Sequence, residues 1–222
     1  MTDTLTRPDI DYATLPPRMR TLPLDARGYP VPWFVDWIDG VPDHRVVDQR
    51  KFKRAVVERR CWTCGEVMGK WLMFVIGPMC GINRTTSEPA SHRDCAIWAV
   101  RNCPFLSRPH MVRRDGNLPP DAEEPGGQPL LRNPGVVMLW TTATFRIFRD
   151  AQQKPLIQIG DPHEVAWYRE GRAATRAEVE ASVESGLPLL RATLDRETAS
   201  ERPRAERELE RRRLMLQMLY PT

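Results

Sequence analysis

Two pairs of soft ligands, each two residues apart, constrain this chain more than any other feature. Cys61-x-x-Cys64 runs straight into Gly65, and His92-x-x-Cys95 follows later. Three cysteines and a histidine grouped in this way form the donor set of a tetrahedral Zn²⁺. The x-x spacing lets both side chains of a pair point at one ion from a tight turn. Gly65 stands where such a turn needs a residue without a Cβ. The competing reading, small buried thiols paired by chance, suits one pair better than two. We therefore assign Cys61, Cys64, His92 and Cys95 as ligands of a structural zinc. Four protein ligands describe a closed site, whereas a catalytic zinc keeps one position open. Cys80 and Cys103 read as spare buried thiols. His44 and His110 stand in polar, irregular contexts and read as solvent-facing.

The spacer between the pairs has structure of its own. Lys70-Trp71-Leu72-Met73-Phe74-Val75-Ile76 is apolar and β-compatible, and Gly77-Pro78 ends it. Ser91 reads as the N-cap of a helix over residues 92–100. A knuckle, then a strand or hairpin, then a helix with the second pair in its first turn resembles the treble-clef zinc finger, over residues 58–103. That resemblance implies a zinc-dependent fold, one that serves nucleases, nucleic-acid binders and protein adaptors alike. HNH-type nucleases resemble the same topology but need a histidine base near the first hairpin strand, and residues 70–76 carry none. Glu66, Glu88 and Asp94 are available acids that nothing in the sequence pairs. The chain lacks GxGxxG, a P-loop, GxSxG and HExxH, so no catalytic residue is assigned.

Charge points to a partner. The net charge is +4, but residues 45–114 alone carry 14 Lys/Arg against 5 Asp/Glu. The flanking segments are both slightly acidic. Cations concentrated around a metal knot are the footprint of a polyanion. The candidate nucleic-acid contacts are Arg50, Lys51, Lys53, Arg54, Arg59, Arg60, Arg84, Arg93, Arg101, Arg113 and Arg114, with DNA ahead of RNA. For any one of them the alternative is a solvated charged face.

Taken in order, residues 1–21 form a proline-punctuated flexible arm. Trp33, Phe34 and Trp37 read as core-packing aromatics. Asp39-Gly40 turns a hairpin that pairs 33–38 with 45–47. Asp48 caps a basic helix over 49–60. Residues 22–114 are thus a zinc-binding module, and 115–135 a Pro/Gly-rich linker or long loop. Strands at 136–142, 144–149 and 155–160 make a small antiparallel meander. Asp161-Pro162 reads as the start of a helix over 163–168, stopped by Gly171. Thr175 and Glu178 form a capping box for a helix to about residue 184, with further helices over 187–199 and 204–219. The fold class expected is α+β: a treble-clef-like core, a β-meander and C-terminal helices.

No apolar run approaches a membrane span, the opening residues do not read as a secretory leader, and five cysteines in metal-like spacing suit a reducing cytoplasm. The combination RGYPVPWFVDW, CWTCG, FVIGPMC, SEPASHRDCA, NCPFLSRP and GRAATRAEVEASVESGLPLL resembles proteins of phages and bacterial prophages. That resemblance implies a bacterial cytoplasmic setting and nothing about chemistry. Three functions follow in order: a zinc-stabilised accessory protein that binds nucleic acid, an adaptor or regulator of a host or phage protein, and a treble-clef nuclease or nucleic-acid-modifying enzyme.

Overall fold

The computed structural model describes residues 10–108 and 133–222 except 197, and between them residues 111, 112, 116, 118, 119, 122 and 125–127. His110, Arg113, Arg114 and most of the proline-rich stretch 115–135 lie outside the described residues. Residues 10–21, expected within an arm, fold onto the core through two 3₁₀ turns, Tyr12–Thr14 and Pro17–Met19. Ile10 and Met19 are buried, and an apolar side chain that can leave water does so.

The hairpin turns at Asp39-Gly40 as expected, from β1 (Val35–Ile38) and β2 (Val41–Val47), but 36–38 pair with 41–43, and of the expected partners 45–47 only Val47 pairs, with Val35. Asp39 and Gly40 both take positive φ (49° and 78°), the pattern that matches strand twist in a two-residue turn. Asp48 caps α1 (Gln49–Val57) and accepts from the backbone N–H groups of Arg50 and Lys51. The helix ends before Arg59, whose φ of 52° is left-handed. The segment that follows gives β3 (Leu72–Ile76), α2 (Pro78–Asn83), β4 (Thr85–Thr86), α3 (Arg93–Asn102) and α4 (Pro104–Ser107). The C-terminal part gives β5 (Val137–Thr142), β6 (Phe145–Arg149), β7 (Pro155–Ile159), β8 (Glu164–Arg169), β9 (Arg172–Ala173), α5 (Arg176–Thr193) and α6 (Arg202–Gln217).

Among the described residues the architecture is α+β, with three small antiparallel sheets ordered β1-β2, β3-β5-β8-β9 and β4-β7-β6. The strand at the heart of the molecule is β5. Every residue in it is buried, because β3 and β8 flank it and both its faces are covered. Phe74, Met138, Trp140 and Trp167 join one cluster with Val179, Val183, Leu187 and Leu216. Met73, Val137 and Leu139 pack on the other side against Ala96 and Val100 of α3.

Four expectations are corrected. The three strands over 136–160 do not form a meander: β6 and β7 pair with each other, but β5 leaves them for β3 and β8. A helix over 163–168 does not form; residues 164–169 are strand β8. Val165, Trp167 and Tyr168 suit a pleated surface, and pairing along β5 satisfies their backbone. Glu170 and Gly171 then turn the chain into β9 at positive φ. The helix opened by Thr175 does not stop before Gly186 but runs to Thr193 through Gly186 and Pro188. Gly186 is retained by packing, since a Cβ there would lie 2.8 Å from Met79 Sδ. Finally, His92 rather than Ser91 is the N-cap of α3. The Ser91 hydroxyl is engaged with Thr63 Oγ1 at 3.0 Å, and its backbone pairs with Met73.

The C-terminal tail docks on the core. Leu216 and Tyr220 are buried, and Trp167 Nε1 donates to the Leu219 carbonyl at 2.7 Å.

Candidate metal centre and basic surface

The centre is built from a turn, a strand and a helix end. Gly65 N–H donates to the Cys61 carbonyl (2.9 Å), and Cys61 N–H to the Glu66 carbonyl (2.8 Å), closing the knuckle. Arg60 and Val67 form an antiparallel bridge at its base. Gly65 has φ +79°, and the Trp33 indole lies so close that an added Cβ would sit 2.6 Å from its Cγ. The second pair is brought in by Ser91. It exchanges two backbone bonds with Met73 of β3 (3.1 and 2.8 Å), while Trp62 N–H donates to the Ala90 carbonyl. His92 therefore arrives at the N-cap and Cys95 in the first turn of α3, where the helix dipole favours a thiolate.

The four ligand atoms of Cys61, Cys64, His92 and Cys95 all lie within 4.8 Å of one another. Cys61 and Cys95 are fully buried; Cys64 and His92 stand half-buried at the rim. Cys64 Sγ and His92 Nδ1 are 3.4 Å apart, close to the edge of roughly 3.5 Å expected between S and N ligands on a tetrahedral zinc. His92 Nε2 faces the Val67 carbonyl at 3.3 Å. A carbonyl can only accept, so Nε2 carries a proton, and Nδ1 is the nitrogen that offers its lone pair to a metal once the ring is neutral. The Cys61 sulfur also accepts from the backbone N–H of Cys64 (3.4 Å) and of His92 (3.3 Å). The donor set and its supporting bonds can hold a metal ion such as zinc.

Electrostatics agree with that chemistry. Burial pushes the Cys61 thiol up, but hydrogen bonds from Cys64, Cys95 and His92 outweigh it, so the thiol ionises far below its usual range. Burial lowers His92, yet the Cys61 and Cys64 sulfurs raise it by more, to about 10. Cys95 is raised, first by its hydrogen bonds with Cys61 and Cys64. A Cys61 thiolate thus stands beside the His92 imidazolium, and the protons on His92 and Cys95 are those a metal would displace. Cys80 and Cys103 stand outside the cluster, half-buried, and desolvation raises both thiols, Cys80 to about 11.

Arg18 attends this centre from the N-terminal segment. Its Nε donates to Asp94 Oδ2 (3.1 Å) and its Nη1 to Glu66 Oε2 (3.4 Å). Burial lowers its pKa, but Asp94, Cys95 and Cys64 raise it overall. Two of the three acids left unpaired in the sequence, Asp94 and Glu66, are therefore partners of one arginine. Nothing local in the sequence marks Arg18, which lies 76 residues from Asp94.

The candidate nucleic-acid contacts divide into two sets. Arg50, Lys53 and Arg54 project from exposed positions on α1; the Arg50 side chain is 90% exposed, although its Nε also lies 3.4 Å from Asp48 Oδ1. Arg101 is also exposed. The others are engaged within the chain. Lys51 Nζ donates to the Val35 carbonyl (3.0 Å). Arg59 donates to the carbonyls of Gly69 and Lys70, and Arg60 to that of Gly65 and to Glu58. Arg84 pairs with Asp161 and Arg93 with Glu164. Arg54 also pairs with Glu58 and lies over the Trp33 ring. His44, expected to face solvent, is half-buried with Nε2 3.2 Å from Asp25 Oδ2; burial lowers its pKa more than Asp25 raises it.

No helix among the described residues is long and apolar enough to cross a membrane. No family model matches the chain, and neither does any curated protein or solved structure.

Proposed function

We propose that this chain is a zinc-stabilised accessory protein that binds nucleic acid, DNA in the first instance, through the basic segment around its metal centre. The zinc is structural, and knuckle, strand and helix follow one another in the treble-clef manner. The likeness to phage and prophage proteins supports a bacterial cytoplasmic setting. The observation that carries the binding role is the outward row Arg50, Lys53 and Arg54 on α1, beside the metal knuckle. Phosphate contacts need only cations at suitable spacing, and Lys53 and Arg101 have no ion pair among the described residues.

The structure also selects the test. Arg59 and Arg60 hold knuckle carbonyls, so replacing them would confound binding with folding. Arg50→Glu with Lys53→Glu leaves those bonds alone. Measured by fluorescence anisotropy over a salt series, the pair of changes should weaken binding and flatten the log–log salt slope by roughly 2. An unchanged slope at unchanged zinc content would remove α1 from the contact surface.

A second reading, docking to a protein, is favoured by one observation. Leu214, Met215 and Met218 of the C-terminal segment are exposed, Met218 at 78%. Leu214→Ser with Met218→Ser should then abolish association with a host or phage protein while leaving nucleic-acid binding intact.

A further inference from the structure

Trp71 is the residue that neither the metal centre nor the core accounts for. It stands just before β3 and remains 43% exposed, although an indole is costly to leave in water. One ring, His163, covers it: the centroids are 4.1 Å apart and the planes 15° from parallel. His163 is itself exposed and is fixed by its N–H, which donates to the Thr141 carbonyl at 2.8 Å. The imidazole thus braces the indole, and the ring's open surface meets the flexible Lys70 ammonium and solvent, which a stacked base would displace.

The surroundings are cationic. Lys70 Nζ lies 4.7 Å from the Trp71 centroid. Arg59 Nη2 reaches the carbonyls of Gly69 and Lys70 (3.2 Å each), linking the end of α1 to the indole. Arg93 stands nearby, joined to Glu164, the residue after His163, at 3.2 Å. Two acids flank His163 in the chain, Asp161 and Glu164, each paired with an arginine (Arg84 and Arg93), which leaves Arg59 and Lys70 as the surplus of positive charge. Between Trp71 and His163 runs the end of β5, where Thr141 is 94% buried and its hydroxyl has no hydrogen-bond partner among the described residues.

We infer that Trp71, braced by His163, is a stacking platform for an unpaired base, so that the ligand of the basic segment is single-stranded nucleic acid. This rests on the nucleic-acid reading above and specifies its substrate. A base in a duplex has both faces covered by its neighbours, whereas an unpaired base can lay its π-face on an indole. Stacking of this kind tolerates any base, and the adjacent cations track the phosphates. The two contributions separate experimentally, because stacking releases no counterions.

The experiment compares a labelled twelve-nucleotide oligothymidylate with a blunt duplex of equal length, on zinc-loaded full-length protein. The single strand should bind more tightly. Trp71→Leu, which keeps bulk but no aromatic face, should weaken it by about tenfold, in line with the loss of one base stack, without altering the salt slope. Trp71→Phe, which keeps a face, should retain most of the affinity. Zinc content and melting temperature report whether each variant is folded. Equal binding by the Leu and Phe variants overturns the platform. So does duplex binding that matches the single strand, though it leaves the basic surface standing. If no nucleic acid binds at low salt, both readings fall.

Discussion

Arg18 Nε donates to Asp94 Oδ2 at 3.1 Å, and so a residue from the N-terminal segment is fastened to the first turn of the helix that carries Cys95. The same guanidinium reaches Glu66 in the knuckle that carries Cys61 and Cys64. A Cys₃His site holding a dication is left with excess negative charge, and Arg18, whose charge is coupled to Cys95 and Cys64, offsets part of it. Arg18→Ala should therefore lower stability, by no more than about 1 kcal/mol because the pair is about a third exposed to water. That corresponds to a fall in Tm of about 2–4 °C for a chain of this size. Zinc release to a chelator should quicken in parallel. A variant that melts lower but holds zinc as long as the parent would limit Arg18 to tethering the N-terminal segment.

Removal of one ligand should have a larger and more local effect. Cys64→Ser should abolish stoichiometric zinc binding and deprotect the backbone amides of residues 58–103 in hydrogen exchange, since a structural metal contributes folding free energy directly. His92 supplies a second readout. Its pKa is raised to about 10, so it is protonated at neutral pH and must lose that proton to bind metal. Zinc titration by calorimetry at pH 7 should show net proton release, seen as a binding heat that varies with the ionisation heat of the buffer. The thiols release protons too, so His92→Ala is the control: it should release fewer protons than the parent, and equal release would contradict the ligand assignment of His92.

Gly65 is the backbone position on which the knuckle depends. With φ +79° and the Trp33 ring against it, Gly65→Ala meets two obstacles. The left-handed conformation alone costs an L-residue about 1–2 kcal/mol. The contact with the indole adds to that, since Trp33 also lies under Arg54. The substitution should lower Tm and weaken zinc in a competition assay. Pairing it with Trp33→Ala should recover part of the loss, and an absence of recovery would show that φ alone is responsible.

The capping box of α5 should give a pH signature. Hydrogen bonds from Arg172 first, then from the Thr175 backbone, lower Glu178 to about 2. A carboxylate lowered in the folded state adds stability that is complete above its ordinary value and fades as pH falls toward 2. NMR titration of Glu178 should place its midpoint well below an exposed glutamate, and Glu178→Gln should remove that part of the acid sensitivity. Thr175→Ala should cost about 1 kcal/mol at any pH where the protein is folded.

Features written in adjacent residues were readable from the sequence. The four ligands follow from spacing, and they converge in space. Asp48, the Asp39-Gly40 turn and the Thr175–Glu178 box were equally plain, because each is a bargain struck within about four residues, between a side chain and its own backbone. Tertiary structure decided the rest. Residues 163–168 carry a helix-start signal, yet 164–169 become β8 because the edge of β5 offers a full ladder of partners and a cover for Trp167. Gly186 and Pro188 look like stops, yet α5 passes through them because burial of Val183, Leu187 and Leu190 outweighs their local cost. The joining of β3 to β5, the seat of Arg18 beside the metal ligands, and the division of the arginines into free and engaged all depend on residues far apart in the chain. Local chemistry fixes what a segment can do by itself; which of its options is taken depends on the surface against which it is buried.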